Sequence, residues 1–215
     1  ITSDAGDTYT HCPADEDPPV RREPVTIRRL AAGPLLGALE VTRAIHLAGH
    51  GLVSVRMVLT LRAGSRAVGL RLDVENRAVH HRLRLAVPAG VGGDVVTGAA
   101  FGVERRPPGA VESSSRLERA VTTAPAHRYA AAAEGQRGLA VCAPGFFEVE
   151  WTYGGVLLVT LLRAVGELSR EDLPSRPGHA GWPTETPGAQ CQGSDRMEFT
   201  IVPVDRDGLA RPDRL

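Results

Sequence analysis

The chain has 215 residues, 42% of them hydrophobic, and its 25 basic and 25 acidic residues give a formal net charge of zero. This composition allows one large domain with a real core, and the balanced charge argues against nonspecific nucleic-acid binding, which requires a basic surface. No apolar run of membrane length and no signal peptide is recognisable, so we expect no membrane partner. Cys12, Cys142 and Cys191 are too few and too irregularly spaced for a disulfide framework, which predicts a reducing compartment, the cytoplasm.

The first distinctive stretch, SDAGDTYTHCP, brings Asp4, Asp7, Tyr9 and His11 close together in sequence. Two carboxylates and a histidine can act as general acid and base, or they can bind a metal ion. The same residues also form an Asx-rich turn that leads into a strand, which is the commoner arrangement. Both explanations stay open at this point.

Alternating hydrophobic and polar residues then dominate the chain. This period of two predicts half-buried antiparallel strands over Leu52–Leu61, Ala67–Val74, Arg82–Val87 and Val156–Leu162. Many such strands, separated by turn residues and accompanied by few helices, predict an all-β fold with a large antiparallel β-sandwich.

The segment HRYAAAAE contains four consecutive alanines, which are the best helix formers. The residues that follow, Glu134 to Gly138, have the character of a hairpin loop, and GLAVCAPG has that of a strand. We therefore predict that HRYAAAAE is a strand in spite of its helix propensity.

Several polar or aromatic residues suggest function less strongly. His80 and His81 are adjacent, so that on a strand they point to opposite faces, and we expect one structural and one exposed histidine. Arg105 and Arg106 precede two prolines, which predicts a loop, and they can form either an anion clamp or a solvated charge pair there. Trp151 ends an apolar strand and is expected in the core, whereas Trp182 is a candidate for stacking on a sugar.

A long polar segment, residues 166–193, lies between two predicted strands and is rich in proline and glycine. Loops of this length without periodicity are commonly functional or disordered. Because the prolines restrict the unfolded chain, we predict an ordered clasp in which Leu173, Trp182 and Cys191 bury apolar area. The only helix-like piece is predicted at Leu168–Leu173, with Ser169 as its cap.

This segment also carries a family resemblance. LLVTLLRAVGELSREDLPSRPGHAGWPTETPGAQCQG resembles the C-terminal β-region of family 38 glycoside hydrolases, the retaining α-mannosidases, and within them the bacterial and cytosolic branch that includes mannosylglycerate hydrolases. Asp4-Ala5-Gly6-Asp7-Thr8-Tyr9 resembles the D-x-G-D-x-Y entry of that region. NRAVHHRLRL and FGVERRP resemble two further landmarks in the same order, although His80 stands where the family commonly has Asp.

The resemblance implies that residues 1–215 form a single domain, a galactose-mutarotase-like supersandwich, as an excerpt of a longer hydrolase chain. The catalytic domain, with its zinc and its catalytic carboxylates, would lie in the missing part, so we expect no catalytic residue, metal site or cofactor here. By position, Tyr9 and Arg106 would contact the α-mannoside substrate at the rim of the sugar site, with Arg105 as the alternative arginine. The side chains of Tyr9 and Arg106 would then be exposed in the excerpt, because their partners are absent. The expected partners are the catalytic domain and the substrate, and the excerpt alone is expected to be inactive.

Two other functions remain open from the sequence. The chain can be an autonomous carbohydrate-binding module with Tyr9 or Trp182 as a platform. It can also be a mutarotase-like sugar epimerase, which requires a histidine and a carboxylate that converge on one concave face.

Overall fold

The computed structural model describes residues 1–14, 18–109 and 119–205. These residues form seventeen β-strands and one 3₁₀ helix, which confirms the predicted all-β class. The strands are β1 (Thr2–Ser3), β2 (Val20–Arg22), β3 (Thr26–Ala32), β4 (Leu36–Leu47), β5 (Gly51–Arg62), β6 (Val68–Asn76), β7 (His81–Pro88), β8 (Val95–Ala99), β9 (Gly102–Arg106), β10 (Thr123–Pro125), β11 (Tyr129–Glu134), β12 (Arg137–Cys142), β13 (Glu148–Trp151), β14 (Val156–Ala164), β15 (Asp172–Leu173), β16 (Arg176–Pro177) and β17 (Gly193–Pro203).

Two antiparallel sheets make up the sandwich. The smaller sheet has five strands in the order β1-β7-β14-β13-β10. The larger sheet has ten strands in the order β2-β4-β5-β6-β17-β12-β11-β8-β9, with β3 also paired to β4. The four strands predicted from alternation correspond to β5, β6, β7 and β14, and each observed strand is slightly longer than its prediction.

The core lies between the two sheets, where each strand directs every second side chain inward. Val53, Leu72 and Val141 of the larger sheet are almost fully buried, as are Leu157 and Val159 of the smaller one, and all five belong to one hydrophobic cluster. The inward face is therefore continuous and largely apolar.

Trp151 is part of this core, as predicted. Its side chain is buried, and the indole Nε1 donates a hydrogen bond to the carbonyl oxygen of Gly93 at 2.8 Å. A buried tryptophan needs such an acceptor, since its N–H would otherwise lose its hydrogen bond to water.

The alanine-rich segment is strand β11, as predicted. Ala130 and Ala132 face the main core, whereas Ala131 packs on the opposite face against Val96 and Ala140. β11 lies between β8 and β12 and is buried on both faces, so tertiary packing overrides the helix propensity of alanine.

The segment 166–193, which we call the clasp loop, contains the strand pair β15–β16 and a 3₁₀ helix at Pro187–Gln190. The predicted helical turn at Leu168–Leu173 is wrong. Ser169 does not cap a helix; its Oγ accepts hydrogen bonds from the backbone N–H groups of Ala180 (2.9 Å) and Gly181 (3.1 Å) instead. Across the described ranges, no helix is long and apolar enough to cross a membrane.

Candidate functional site

The turn formed by residues 4–9 is built around two fully buried carboxylates. Asp4 Oδ1 accepts hydrogen bonds from the backbone N–H groups of Gly6 (3.1 Å) and Cys12 (3.3 Å). Asp7 Oδ1 accepts those of Tyr9 (3.0 Å) and Thr10 (2.8 Å). These are Asx-type bonds that fold the backbone tightly, in agreement with the explanation of this stretch as a turn.

Two arginines from the far end of the chain complete the turn. Arg163 binds Asp4 with two bonds, from Nε to Oδ2 at 2.8 Å and from Nη2 to Oδ1 at 3.2 Å. Arg176 pairs through Nη2 with Asp7 Oδ2 and donates its Nη1 to the carbonyl oxygen of Gly178 at 2.8 Å. All carboxylate oxygens of the turn are occupied, so Asp4 and Asp7 hold the structure together and are not free to act as acid, base or metal ligand.

A β-bulge directs Arg163 toward the turn. The pairing of β14 with β7 shifts between Thr160 and Leu162, so that the alternation of side chains changes phase at this point. Val159 and Leu162 therefore both face the core. Without the bulge, Arg163 would point inward, as Val159 does; with it, the guanidinium reaches Asp4 on the outer face.

The C-terminal end of the clasp loop is held by the hydrogen bonds of two side-chain amides. Asn76 donates its Nδ2 to the carbonyl oxygens of Gln190 (3.1 Å) and Cys191 (2.9 Å), and Gln190 Oε1 accepts the backbone N–H of His80 at 3.0 Å. The loop is therefore held by hydrogen bonds, and the predicted apolar clasp is wrong for two of its three residues. Leu173 is buried, whereas Trp182 is 77% exposed and Cys191 is exposed.

Tyr9 is presented to solvent by this assembly. Its side chain is 56% exposed, although the residues that hold its backbone are fully buried. The ring lies against Gly181, where an added Cβ would come within 2.6 Å of the phenol oxygen, so a larger residue there would displace the ring. The exposed indole of Trp182 follows directly in the sequence, which places two exposed aromatic residues close together.

Arg106 and Arg105 lie on the last two positions of β9, not in a loop as predicted. Arg106 pairs with Glu104, is 27% exposed, and keeps a buried Nε without a hydrogen-bond partner in the described part of the chain. Arg105 is opposite Val96 and points to the other face of the sheet, with its Nη1 4.0 Å from Asp94 Oδ2. The expectation that Arg106 is exposed is thus only partly met, while that for Tyr9 is confirmed.

One segment, residues 119–123, lies beside both predicted contact residues. It lines a cavity of about 210 Å³ that contains Arg106, and also a larger cavity that contains Tyr9. Val121 of this segment and Phe147 are exposed apolar side chains that border a groove next to Tyr9. That Tyr9 and Arg106 contact the same sugar stays a prediction.

One of the two adjacent histidines is buried and the other is exposed, as predicted. His81 is fully buried and faces the core, while His80 is exposed and lies edge-on to His50, with ring centroids 6.1 Å apart. Burial lowers the pKa of His81 to about 4, so this ring is neutral at neutral pH. In the residues that the structure describes, no group of three or more His, Cys, Asp or Glu side chains could hold a metal ion.

A histidine and carboxylates do share one cavity, as an epimerase would require. His11 lines it together with Glu148 and Glu150. However, Glu150 is paired with Arg84, and Glu148 Oε1 accepts a hydrogen bond from Thr160 Oγ1 at 2.6 Å. Because both carboxylates already have partners, the arrangement does not favour that function.

Sequence reasoning missed Arg163 and Arg176, which hold the turn. Each is more than 150 residues away from its aspartate, and no periodicity links them. The available signal was the turn itself, because two aspartates that become buried require cationic partners. Both arginines lie in or beside the long segment that carries the family resemblance.

Comparison with known proteins gives a family match over most of the chain. The family model for the glycosyl hydrolases family 38 C-terminal domain matches residues 2–169. A curated relative, the putative mannosylglycerate hydrolase of Halalkalibacterium halodurans, is 26% identical over 159 residues, which are 74% of this chain and 16% of that protein.

Two solved structures from Enterococcus faecalis have the same fold. One is a protein in the glycosyl hydrolase family 38, with a TM-score of 0.76, and the other is an α-mannosidase of strain V583, with a TM-score of 0.77. Each is 18% identical to this chain; the matches cover 99% of it and 27% and 26% of those chains, respectively. The chain thus spans about a quarter of the solved chains and about a sixth of the curated relative.

Proposed function

Because the chain belongs to the family of glycosyl hydrolase family 38 C-terminal domains, we propose that it is the non-catalytic β-sandwich domain of a retaining α-mannosidase. In this proposal the longer protein hydrolyses α-mannosidic bonds. The sandwich supports the catalytic domain and contributes Tyr9 and Arg106 to the rim of the sugar site.

The observation that carries the proposal is the rigid presentation of Tyr9. An exposed aromatic ring is held by a turn whose two carboxylates are fully buried and bonded to Arg163 and Arg176. A tyrosine offers a pyranose an apolar face together with a hydroxyl group. Rigid placement is what allows such a contact to stabilise a transition state, because the ordering entropy is lost during folding and not during the reaction.

The chemistry itself is assigned to the rest of the protein. Retaining glycosidases commonly use two carboxyl groups about 5 Å apart, one as nucleophile and one as acid and base. Asp4 and Asp7 are bonded to arginines and do not serve this purpose. Zinc, which the family implies, would likewise belong to the catalytic domain, since the described residues form no suitable ligand group.

The proposed substrate and the proposed compartment each rest on a separate observation. The relative from H. halodurans is called a mannosylglycerate hydrolase, which makes an α-mannoside of a small hydroxy acid one candidate substrate. Cys12, Cys142 and Cys191 are three in number and irregularly spaced, which supports a reducing compartment, the cytoplasm.

A second candidate function is carbohydrate binding by the chain alone. The exposed Trp182 next to Tyr9 favours it, because neighbouring exposed aromatic residues suit the apolar faces of sugars. The two candidates differ in whether the aromatic pair needs the catalytic domain.

One pair of assays tests the proposal. The full-length protein should hydrolyse an aryl α-mannoside, and residues 1–215 alone should not, because the catalytic carboxylates lie elsewhere. Hydrolysis by residues 1–215 alone, or no hydrolysis by the full-length protein, would contradict the proposal. Millimolar or tighter binding of methyl α-mannoside by the isolated residues would support the carbohydrate-binding alternative.

A further inference from the structure

A second group of charged residues lies on the outer face of the smaller sheet, beneath Tyr9. We call it the arginine cavity: a space of about 570 Å³ lined by Thr2, His11, Arg82, Arg84, Glu148 and Glu150, with Tyr9 at its border. Its size is suited to a small ligand, and its floor consists of side chains from β7 and β13.

The charges of the cavity do not balance, since five arginines line it together with only two glutamates: Arg82, Arg84, Arg119, Arg163 and Arg176 with Glu148 and Glu150. Arg84 is paired with Glu150, and Arg163 and Arg176, which also border the cavity, are paired with the buried aspartates of the turn. Arg82 Nη1 lies 4.0 Å from Glu148 Oε1, and this oxygen already accepts a hydrogen bond from the Thr160 hydroxyl.

Arg82 is also poorly satisfied in its hydrogen bonding. Its side chain is 7% exposed, and its Nε has no hydrogen-bond partner within the described residues. Burial, reinforced by the neighbouring Arg84, lowers the pKa of Arg82 from its usual value. A guanidinium that is removed from water without a full set of acceptors is costly, which indicates a missing anionic partner.

Three more buried polar atoms of the same cavity lack a hydrogen-bond partner in the described part of the molecule: Thr2 Oγ1, His11 Nε2 and Ser175 Oγ. Burial, with Arg82 nearby, lowers the pKa of His11, so that its ring is neutral and can donate or accept a hydrogen bond. A ligand that satisfies these groups therefore carries a carboxylate for Arg82 and hydroxyl groups for the others.

We propose that the arginine cavity binds the aglycone of the substrate, and that this aglycone is a small hydroxy acid whose carboxylate is held by Arg82. This inference rests on the proposed function, because it places the sugar at Tyr9 and the acid in the cavity that Tyr9 borders. Arginine binds carboxylates through its planar fork, which selects an acid over a neutral alcohol of the same size.

The test uses the full-length protein and two probes, mannosylglycerate and methyl α-mannoside. We expect the ratio of their kcat/KM values to favour the acid in the wild type, and to fall about 30-fold to 100-fold in Arg82→Met. Arg77→Gln, which removes an exposed arginine paired with Glu75, should leave the ratio within about twofold.

A second measurement does not depend on the folding of a variant. D-glycerate should inhibit hydrolysis of methyl α-mannoside by the wild type at least tenfold more strongly than glycerol does. Equal inhibition, or an equal loss of both kcat/KM values in Arg82→Met, would overturn the inference and indicate that a carboxylate of the remaining chain occupies the cavity. In that case methyl α-mannoside would still be cleaved, whereas failure of the proposed function would leave neither mannoside cleaved.

Discussion

Two groups of buried charge on the outer side of the smaller sheet differ in how completely they are paired. In the turn, Asp4 and Asp7 are each bonded to an arginine and to backbone N–H groups. In the arginine cavity, Arg82 lies 4.0 Å from its nearest carboxylate oxygen and keeps an unbonded Nε among the described residues. The difference separates a fully paired group, which maintains the fold, from the incompletely paired Arg82, for which we propose an anionic partner.

The largest effect should come from the turn. Asp7→Ala leaves Arg176 buried without its carboxylate, and we expect the free energy of unfolding to fall by about 3–5 kcal/mol. Asp172→Ala, which removes an exposed partner of Arg170, should lower it far less, because solvent screens this pair. Urea denaturation of both variants measures this; similar values for the two would show that the buried pair does not hold the fold.

The clasp loop provides a contrast between one buried and one exposed apolar residue. Leu173→Ala should lower the free energy of unfolding by about 2–5 kcal/mol, since it opens a cavity under the loop. Trp182→Ala should change it by less than about 0.5 kcal/mol, because the indole is exposed. A large loss for Trp182→Ala in the same denaturation assay would contradict the structural assignment of these residues.

Comparison of these two residues also shows where sequence reasoning succeeded and where it failed. The strands were predictable because alternation with period two reports directly which side chains face the core. Trp182 was placed wrongly because an apolar residue in a polar loop was taken as buried, whereas large apolar residues are also found exposed at binding surfaces. The pairing of Asp7 with Arg176 was not predictable, since the sequence offers many arginines and no rule of spacing selects one.

The buried His81 should make stability depend on pH. Its pKa is about 4 in the folded chain and near 6.5 when unfolded, so the unfolded state binds more protons between these values. Stability should therefore fall as the pH is lowered from 6.5 toward 4, by about 3 kcal/mol in total.

Denaturation curves at pH 7 and pH 5 measure this dependence. We expect His81→Leu to show less loss between these pH values than the wild type. Equal pH dependence in His81→Leu and the wild type would mean that His81 is not the group responsible.

Arg82 should behave in the opposite way to the arginines of the turn. Arg82→Met removes an incompletely paired buried charge, so we expect the free energy of unfolding to be unchanged or to rise by about 1 kcal/mol. Arg163→Met should lower it by about 3–5 kcal/mol, because Asp4 then stays buried without its partner. Similar destabilisation of both variants, measured in urea, would remove the distinction between the two groups of charge.

Tyr9→Phe in the full-length protein tests most directly the claim that the paired turn exists to present Tyr9 to the sugar. The substitution removes one hydroxyl group and leaves the ring and the buried turn in place. We predict that kcat/KM for methyl α-mannoside falls up to about tenfold, equivalent to roughly 0.5–1.5 kcal/mol, while the free energy of unfolding is unchanged. An unchanged kcat/KM would contradict the account, because Tyr9 would then not contact the substrate.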